Sequence, residues 1–365
     1  MLLNWTTREK LHKDIELIEP APGGSAPSGE QRKSARAASN GGGSAIPAFH
    51  ERPPWLGADL QTLRNFLCGG PSDLLGGERL LLPMRDGDML AARLDLPAQS
   101  RAQPLVVLIH GVAGSEASVN IVTTARRLVA SGWPVLRLNL RGSPPSRPTC
   151  AGRYHGGRTE DLAEALRRLP ARLTRHGVFL VGHSLGGGLV VKFMGESRRN
   201  LPLLGAVAVS APLDFAATCA RMMTARNFAY QKYVLDALKR EALAPGAALT
   251  SAEKSLVAEA RNVFEFDDRF VAPHFGYRDA PHYYEENEPR RFLAGIRRPT
   301  LIVHALDDPW IPGESYEAID WRRLPRIETA LSPGGGHLGF HGRGSSIAWH
   351  DRVTIGWLEA HLHKN

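Results

Sequence analysis

Apolar runs and amphipathic stretches alternate along most of the chain. Glu78–Pro83 and Met89–Asp95 flank Arg85-Asp86-Gly87-Asp88, and Asp-Gly between two strand-like runs predicts a β-hairpin. Leu105–Ile109 is apolar at every position, the pattern of a strand covered on both faces. Ser118–Ala130 sets Val119, Val122, Ala125 and Val129 at helical spacing, and Gly132 stops it. Val135–Leu140 reads as a strand. Thr159–Leu173 reads as a helix with Leu162, Leu166, Leu169 and Leu173 on one face. Val178–Val181 is a buried strand running straight into a helix-like stretch. Gly205–Ser210, Thr300–Ala305 and Ile327–Leu331 are further strands, and Ser346–Leu362 is a closing helix. Strand alternating with helix predicts an α/β fold: eight strands, mostly parallel, with helices on both faces and the hairpin antiparallel at one edge. Between Ala211 and Pro299 the alternation breaks. That stretch is helix-rich, with Asp214–Leu243 and Ser251–Asn262 the best candidates, and it reads as a helical cap over the carboxyl ends of the strands, where open sheets bind ligands.

Composition changes the picture at the N-terminus. Residues 21–46 are mainly Gly, Ser, Ala and Pro with a few basic residues, too little apolar surface to offset chain entropy, so disorder is expected. The chain thus divides into residues 1–48, a disordered or non-native extension, and residues 49–365, one domain with its cap at about 211–299. The net charge of +8 comes from scattered arginines. A basic stripe interleaved with aromatics is missing, which argues against nucleic acid and leaves room for weak attraction to anionic lipid surfaces. Cys68, Cys150 and Cys219 are sparse and far apart, fitting a reducing compartment and no metal site. The longest apolar run, Leu201–Leu213, is too short to span a bilayer and contains Pro202 and Pro212. Charges from Arg8 onward interrupt any signal-peptide core. A cytoplasmic protein is expected. Acyl length, head group and oligomeric state have no signature in the sequence.

The candidate chemistry begins at Gly182-His183-Ser184-Leu185-Gly186, a G-x-S-x-G pattern between buried strand and helix. Ser184 must sit on a turn too sharp for side chains at 182 and 186, hence the glycines. A serine hydroxyl needs a base, and the base needs an acid to hold its tautomer. In this order of elements the acid comes next and the histidine last. Asp308, in Asp307-Asp308-Pro309 after the Thr300–Ala305 strand, is the favoured acid, with Asp307 as runner-up. His337 follows three glycines after the last strand, on a loop able to return over the sheet. The backbone N–H groups of Leu185 and Val112 are nominated as an oxyanion hole, Val112 lying in the Gly111–Gly114 loop after the first parallel strand. His110 and His183, each before a tight turn, read as structural.

The chain resembles the alpha/beta hydrolases, and within them the YheT-like branch that includes ABHD-type enzymes. The matching motifs are PPWLGADLQTL (53–63), LIHGVAGS (108–115), NLRG (139–142), YHGGRTEDL (154–162), GHSLGG (182–187), FDDRFVAPHFGYRDAPHYY (266–284), ALDDPWIP (305–312) and GGGHLGF (334–340). The resemblance implies the alpha/beta-hydrolase fold, carboxylic ester hydrolysis on short- to medium-chain acyl or lipid esters, and catalytic positions at Ser184, Asp308 and His337. No cofactor is implied. The aromatics of 266–284 suggest either a shield for the acyl group or packed core. The competing readings are an acyltransferase using lipid or alcohol acceptors, and an inactive hydrolase fold that binds a small molecule or protein.

Overall fold

The computed structural model describes residues 46–70, 76–99, 102–196 and 200–362. The expectation for residues 1–48 therefore falls almost wholly outside the described residues. Eight strands form one sheet in the order β1-β2-β4-β3-β5-β6-β7-β8. They are β1 (Glu78–Pro83), β2 (Met89–Asp95), β3 (Leu105–Ile109), β4 (Val135–Leu138), β5 (Val178–His183), β6 (Leu203–Val209), β7 (Thr300–Ala305) and β8 (Ile327–Ser332). The hairpin pairs Pro83 with Met89 and lies at the edge. β2 runs antiparallel to β4, and all pairings beyond that are parallel.

The central parallel strands β3, β5 and β6 are apolar at nearly every position because both faces are covered. Alternate residues serve opposite cores. Val107, Ile109, Leu180 and Ala208 face a layer with Leu162 and Leu166 of the Thr159–Arg168 helix and Leu189 and Phe193 of the Leu185–Gly195 helix. Val106, Leu108, Val181 and Val209 face Ile121, Ala125 and Leu128 of the Val119–Ala130 helix and Trp349, Val353 and Trp357 of the Trp349–Leu362 helix. Here α1 is Gly57–Cys68, α2 Val119–Ala130, α3 Thr159–Arg168, α4 Leu185–Gly195, α5 Phe215–Met222, α6 Phe228–Ala242, α7 Ser251–Glu259, α8 Ala280–Asn287 and α9 Trp349–Leu362. Arg141 ties the loop after β4 to the start of α3 through Asp161, at 2.7 and 2.8 Å.

Several boundaries differ from the periodicity. The 159–173 helix ends at Arg168, because Pro170 forces Leu169 into extended backbone (ψ 137°). β4 ends at Leu138, since the Leu140 N–H turns away to His110 Nε2 at 3.0 Å. β6 spans Leu203–Val209 rather than 205–210, because Ser210 adopts φ +47°. The 214–243 stretch splits into α5 and α6. Buried Asn227 interrupts it by donating to Arg221 O and Pro309 O at 2.9 and 2.6 Å, a tertiary tie no helical pattern announces. α7 stops at Glu259, three residues before the end expected at Asn262, while its start carries a capping box of Thr250 and Glu253. The closing helix begins at Trp349. Between β6 and β7, α5 to α8 build an apolar cluster of their own that includes Phe215, Leu235, Phe270 and Tyr283, and Val112, Leu185 and Trp310 pack against it.

Candidate active site

β3 and β5 are neighbours, but the chain leaves β3 for β4 on one side and returns to β5 on the other. Their carboxyl ends form the switch point at which open sheets leave a crevice. Val112 follows β3 and Ser184 follows β5. Ser184 has φ 53° and ψ −124°, a costly backbone for a side chain other than glycine. Its neighbours must be small. A Cβ at Gly182 would meet Gly186 O at 2.2 Å, and one at Gly186 would meet the carbonyls of Ile109 and His110 at 2.5 Å. The turn is held by the Ser184 N–H donating to Val209 O at 2.8 Å.

Ser184, His337 and Asp308 are brought together. Ser184 Oγ lies 3.0 Å from His337 Nε2, and His337 Nδ1 lies 2.8 Å from Asp308 Oδ2. All three are buried, Asp308 at 2% exposure. Burial pushes the Asp308 carboxyl up, but the charge and hydrogen bond of His337 outweigh it. With help from the Trp310 N–H they hold the group below the ordinary range, so it stays an acceptor. Asp308 Oδ1 also accepts from the N–H groups of Trp310 and Ile311, at 2.8 and 3.1 Å.

Asp307 has a different place. Its Oδ1 accepts the Gly336 N–H at 2.9 Å, tethering the histidine loop, and burial pushes its carboxyl up. α1 holds the same loop from the other side. Thr62 Oγ1 accepts the His337 N–H at 2.8 Å and Gln61 Oε1 accepts the His341 N–H at 2.7 Å, while Gly336 fits only because a Cβ there would meet Ala58 O at 2.4 Å. Trp310 stacks on the His337 ring, centroids 4.4 Å apart and planes within 15°. Sequence reasoning missed these roles of Thr62, Gln61 and Trp310. The only signal was their position inside the 53–63 and 305–312 motifs.

The Val112 and Leu185 N–H groups have no hydrogen-bond acceptor among the described residues. Leu185 opens α4, so its N–H lacks an intrahelical partner. The Val112 loop is shaped by its neighbour: Ala113 has φ +50° and its N–H donates to the Tyr154 hydroxyl at 2.7 Å. Tyr154 was not foreseen either. His110 proves to be a stitch between strands. It accepts the Leu140 N–H at Nε2, which leaves Nδ1–H to donate to Gly111 O at 2.8 Å, and burial pushes its pKa down to about 4. His183 is fully buried under the turn and pushed down to about 3 by burial and by His350.

Ser184, His337, Val112 and Leu185 open into a cavity of about 930 Å³, mouth included. Its far wall comes from the 211–299 segment: Phe215, Met222, Val234, Leu238 and Val271 make it apolar, with Asp267 among them, and Arg153 from the loop after β4 also lines the cavity, against Phe266 and Phe270. Of the 266–284 aromatics, Phe270 packs in the cluster while Phe266, Tyr283 and Tyr284 do both, packing and lining the cavity.

Comparison with known proteins identifies the family and the fold. A profile of the alpha/beta hydrolase fold matches residues 104–343. The chain is 32% identical to YheT of Escherichia coli (strain K12) over 292 residues, covering 78% of this chain and 85% of that one. It is 28% identical over 264 residues to the medium-chain fatty acid ethyl ester synthase/esterase 2 of Saccharomyces cerevisiae, covering 65% of this chain and 58% of that one. Among solved structures, the Pyrococcus furiosus esterase Pf2001 superposes with a TM-score of 0.53 at 16% identity, over 78% of this chain and 92% of its own, a likeness of fold.

Proposed function

Since the chain belongs to the alpha/beta hydrolase family, in its YheT-like branch, we propose that it is a carboxylesterase-type serine hydrolase working through an acyl-enzyme on Ser184. The observation that carries this is the unbroken hydrogen-bond series from Ser184 Oγ through the His337 ring to Asp308. With Asp308 ionised, Nδ1 of His337 keeps its proton and Nε2 is free to accept one. Ser184 Oγ gives its proton to Nε2 and bonds to the ester carbonyl carbon. The carbonyl oxygen becomes an oxyanion held by the Val112 and Leu185 N–H groups, each typically contributing about 3 kcal/mol. The tetrahedral species collapses, the carbon–alkoxy bond breaks, and Nε2–H protonates the departing alcohol. Water then gives a proton to Nε2 and attacks the acyl carbon, and Ser184 recovers its proton as the free acid leaves.

The apolar far wall supports acyl chains of short to medium length or lipid esters, and the 211–299 segment serves as the cap that keeps bulk water from them. Cys68, Cys150 and Cys219 are free thiols, which supports a cytoplasmic setting. No described helix is long and apolar enough to cross a membrane. The second reading is acyl transfer to an alcohol in place of water. It draws support from the yeast relative whose name joins ester synthase with esterase.

Treatment with a fluorophosphonate tests the central claim: a single adduct on Ser184 is expected, and its absence sinks the esterase reading. Product analysis with ethanol present separates the two enzyme readings, because free acid alone excludes the transferase.

A further inference from the structure

Four arginines among the described residues are buried: Arg137, Arg141, Arg147 and Arg153. Three are fully engaged. Arg137 pairs with Asp95, Arg141 with Asp161, and Arg147 donates to the carbonyls of Gly142, Cys150, Ala151 and Gly152. Arg153 is different. It is 6% exposed and lines the cavity that Ser184 opens into, yet Nε and Nη1 have no hydrogen-bond partner and no described carboxylate reaches ion-pair distance. Its guanidinium lies 4.7 and 5.6 Å from the ring centroids of Phe270 and Phe266. The aromatics occupy its flat surface and leave its N–H edge for an acceptor in the plane.

The acidic groups nearby do not satisfy it. Burial pushes the Glu241 and Asp267 carboxyls up to about 7, so near neutral pH much of each is uncharged. Glu241 Oε1 also lacks a partner, and Asp267 is occupied by the Tyr284 hydroxyl at 2.7 Å. A buried cation without a counter-charge is costly, and a planar donor fork of this kind is the one best matched by two oxygens of an anion.

We propose that Arg153 is an anion-recognising residue of the substrate cavity, selecting esters that carry a carboxylate or phosphate group remote from the scissile bond. The proposal rests on the esterase reading of Ser184. The ester carbonyl sits at the Ser184 end, the chain crosses the apolar wall, and the anionic oxygens meet the Arg153 edge.

Nitrophenyl octanoate, its ω-carboxylate analogue and its ω-phosphate analogue test this against wild type, Arg153→Met and Arg153→Lys. Wild type should favour one charged ester over the methyl-ended one by roughly tenfold to a hundredfold in kcat/KM. Which charged ester wins tells carboxylate from phosphate. The ratio should fall to about one in R153M, with R153K in between. Ratios near one in wild type for both charged esters, or a preference unchanged in R153M, overturn the proposal. If R153M fails to fold, competition in wild type reads the same contact: octanedioate or octyl phosphate should inhibit better than octanol, and equal inhibition overturns it. Thermal shift of Ser184→Ala with the same two anions keeps the tests separate. A protein labelled by fluorophosphonate but lacking anion preference sinks only the Arg153 proposal. An unlabelled protein whose S184A form is still stabilised by the anions sinks only the esterase reading.

Discussion

The two ends of the cavity are built on opposite terms. At the rim of the sheet, each side chain of the reacting series has its partners: Ser184 with His337, His337 with Asp308, Asp308 with two further N–H groups. Those residues sit just after β5, β7 and β8, and α1 clamps the loop that carries the histidine. At the cap end, the cavity-lining Arg153 keeps buried N–H groups without partners, the Oε1 of neighbouring Glu241 likewise has none, and the Glu241 and Asp267 carboxyls are pushed up toward neutrality. The difference shows what each end is for. Groups that must hold a geometry through bond-making are satisfied in advance, whereas groups left unsatisfied are completed by what enters.

Substitutions at the rim should therefore strike turnover, and those at the cap end should strike affinity and stability. Ser184→Ala carries the largest expected effect, a fall in kcat on the order of 10⁵ or more with folding intact, measured on any nitrophenyl ester that wild type cleaves. Residual activity within tenfold would break the contrast at its root. Asp308→Asn comes next, at about 10⁴ in kcat, because an amide holds the His337 ring in the wrong tautomer. Asp307→Asn should cost far less, and equal losses would mean that the two neighbours share the role. Tyr154→Phe removes the acceptor of the Ala113 N–H and loosens the loop that presents the Val112 N–H. A drop of about tenfold in kcat with little change in KM is expected, smaller than the loss of a donor itself.

The mildest test concerns pH. Glu241 rises from 4.5 and Asp267 from 3.8, both to about 7, so the folded protein holds protons that the unfolded chain has released. Their contribution to stability is full below about pH 4 and is lost as pH rises through about 7. Glu241→Gln and Asp267→Asn should each flatten the fall in Tm between about pH 5 and pH 8 and raise Tm at the upper value, by roughly 2 to 4 °C for each kcal/mol of cost removed. An unchanged curve would show that these carboxyls are not burdened by burial, and the contrast between the two ends would lose its cap-side half.

The reacting residues were legible because their constraints are local. The pattern around Ser184 needs glycines that a backbone collision explains, the acid follows a strand buried at every position, and the histidine follows three glycines after the last strand. The supporting residues were not. Thr62 and His337 are 275 positions apart, and neither carries a spacing that announces the other. Asp307 and Asp308 look alike in the chain, but the turn after β7 sends one to the imidazole and the other to the Gly336 N–H. The split between α5 and α6 depends on Asn227 reaching Pro309, again a contact across the fold.

Residue order alone determined the alternation of strand and helix, the eight-stranded sheet, the strained serine turn and the segment inserted after β6. Those features come from periodicity, chirality and steric exclusion, which act over a few residues at a time. Tertiary structure decided which aspartate faces the histidine, what steadies the histidine loop, and that Arg153, alone of the four buried arginines among the described residues, keeps guanidinium N–H groups without an acceptor. Burial and charge pairing depend on what the rest of the chain brings alongside, and that is set only once the sheet has closed over its two cores.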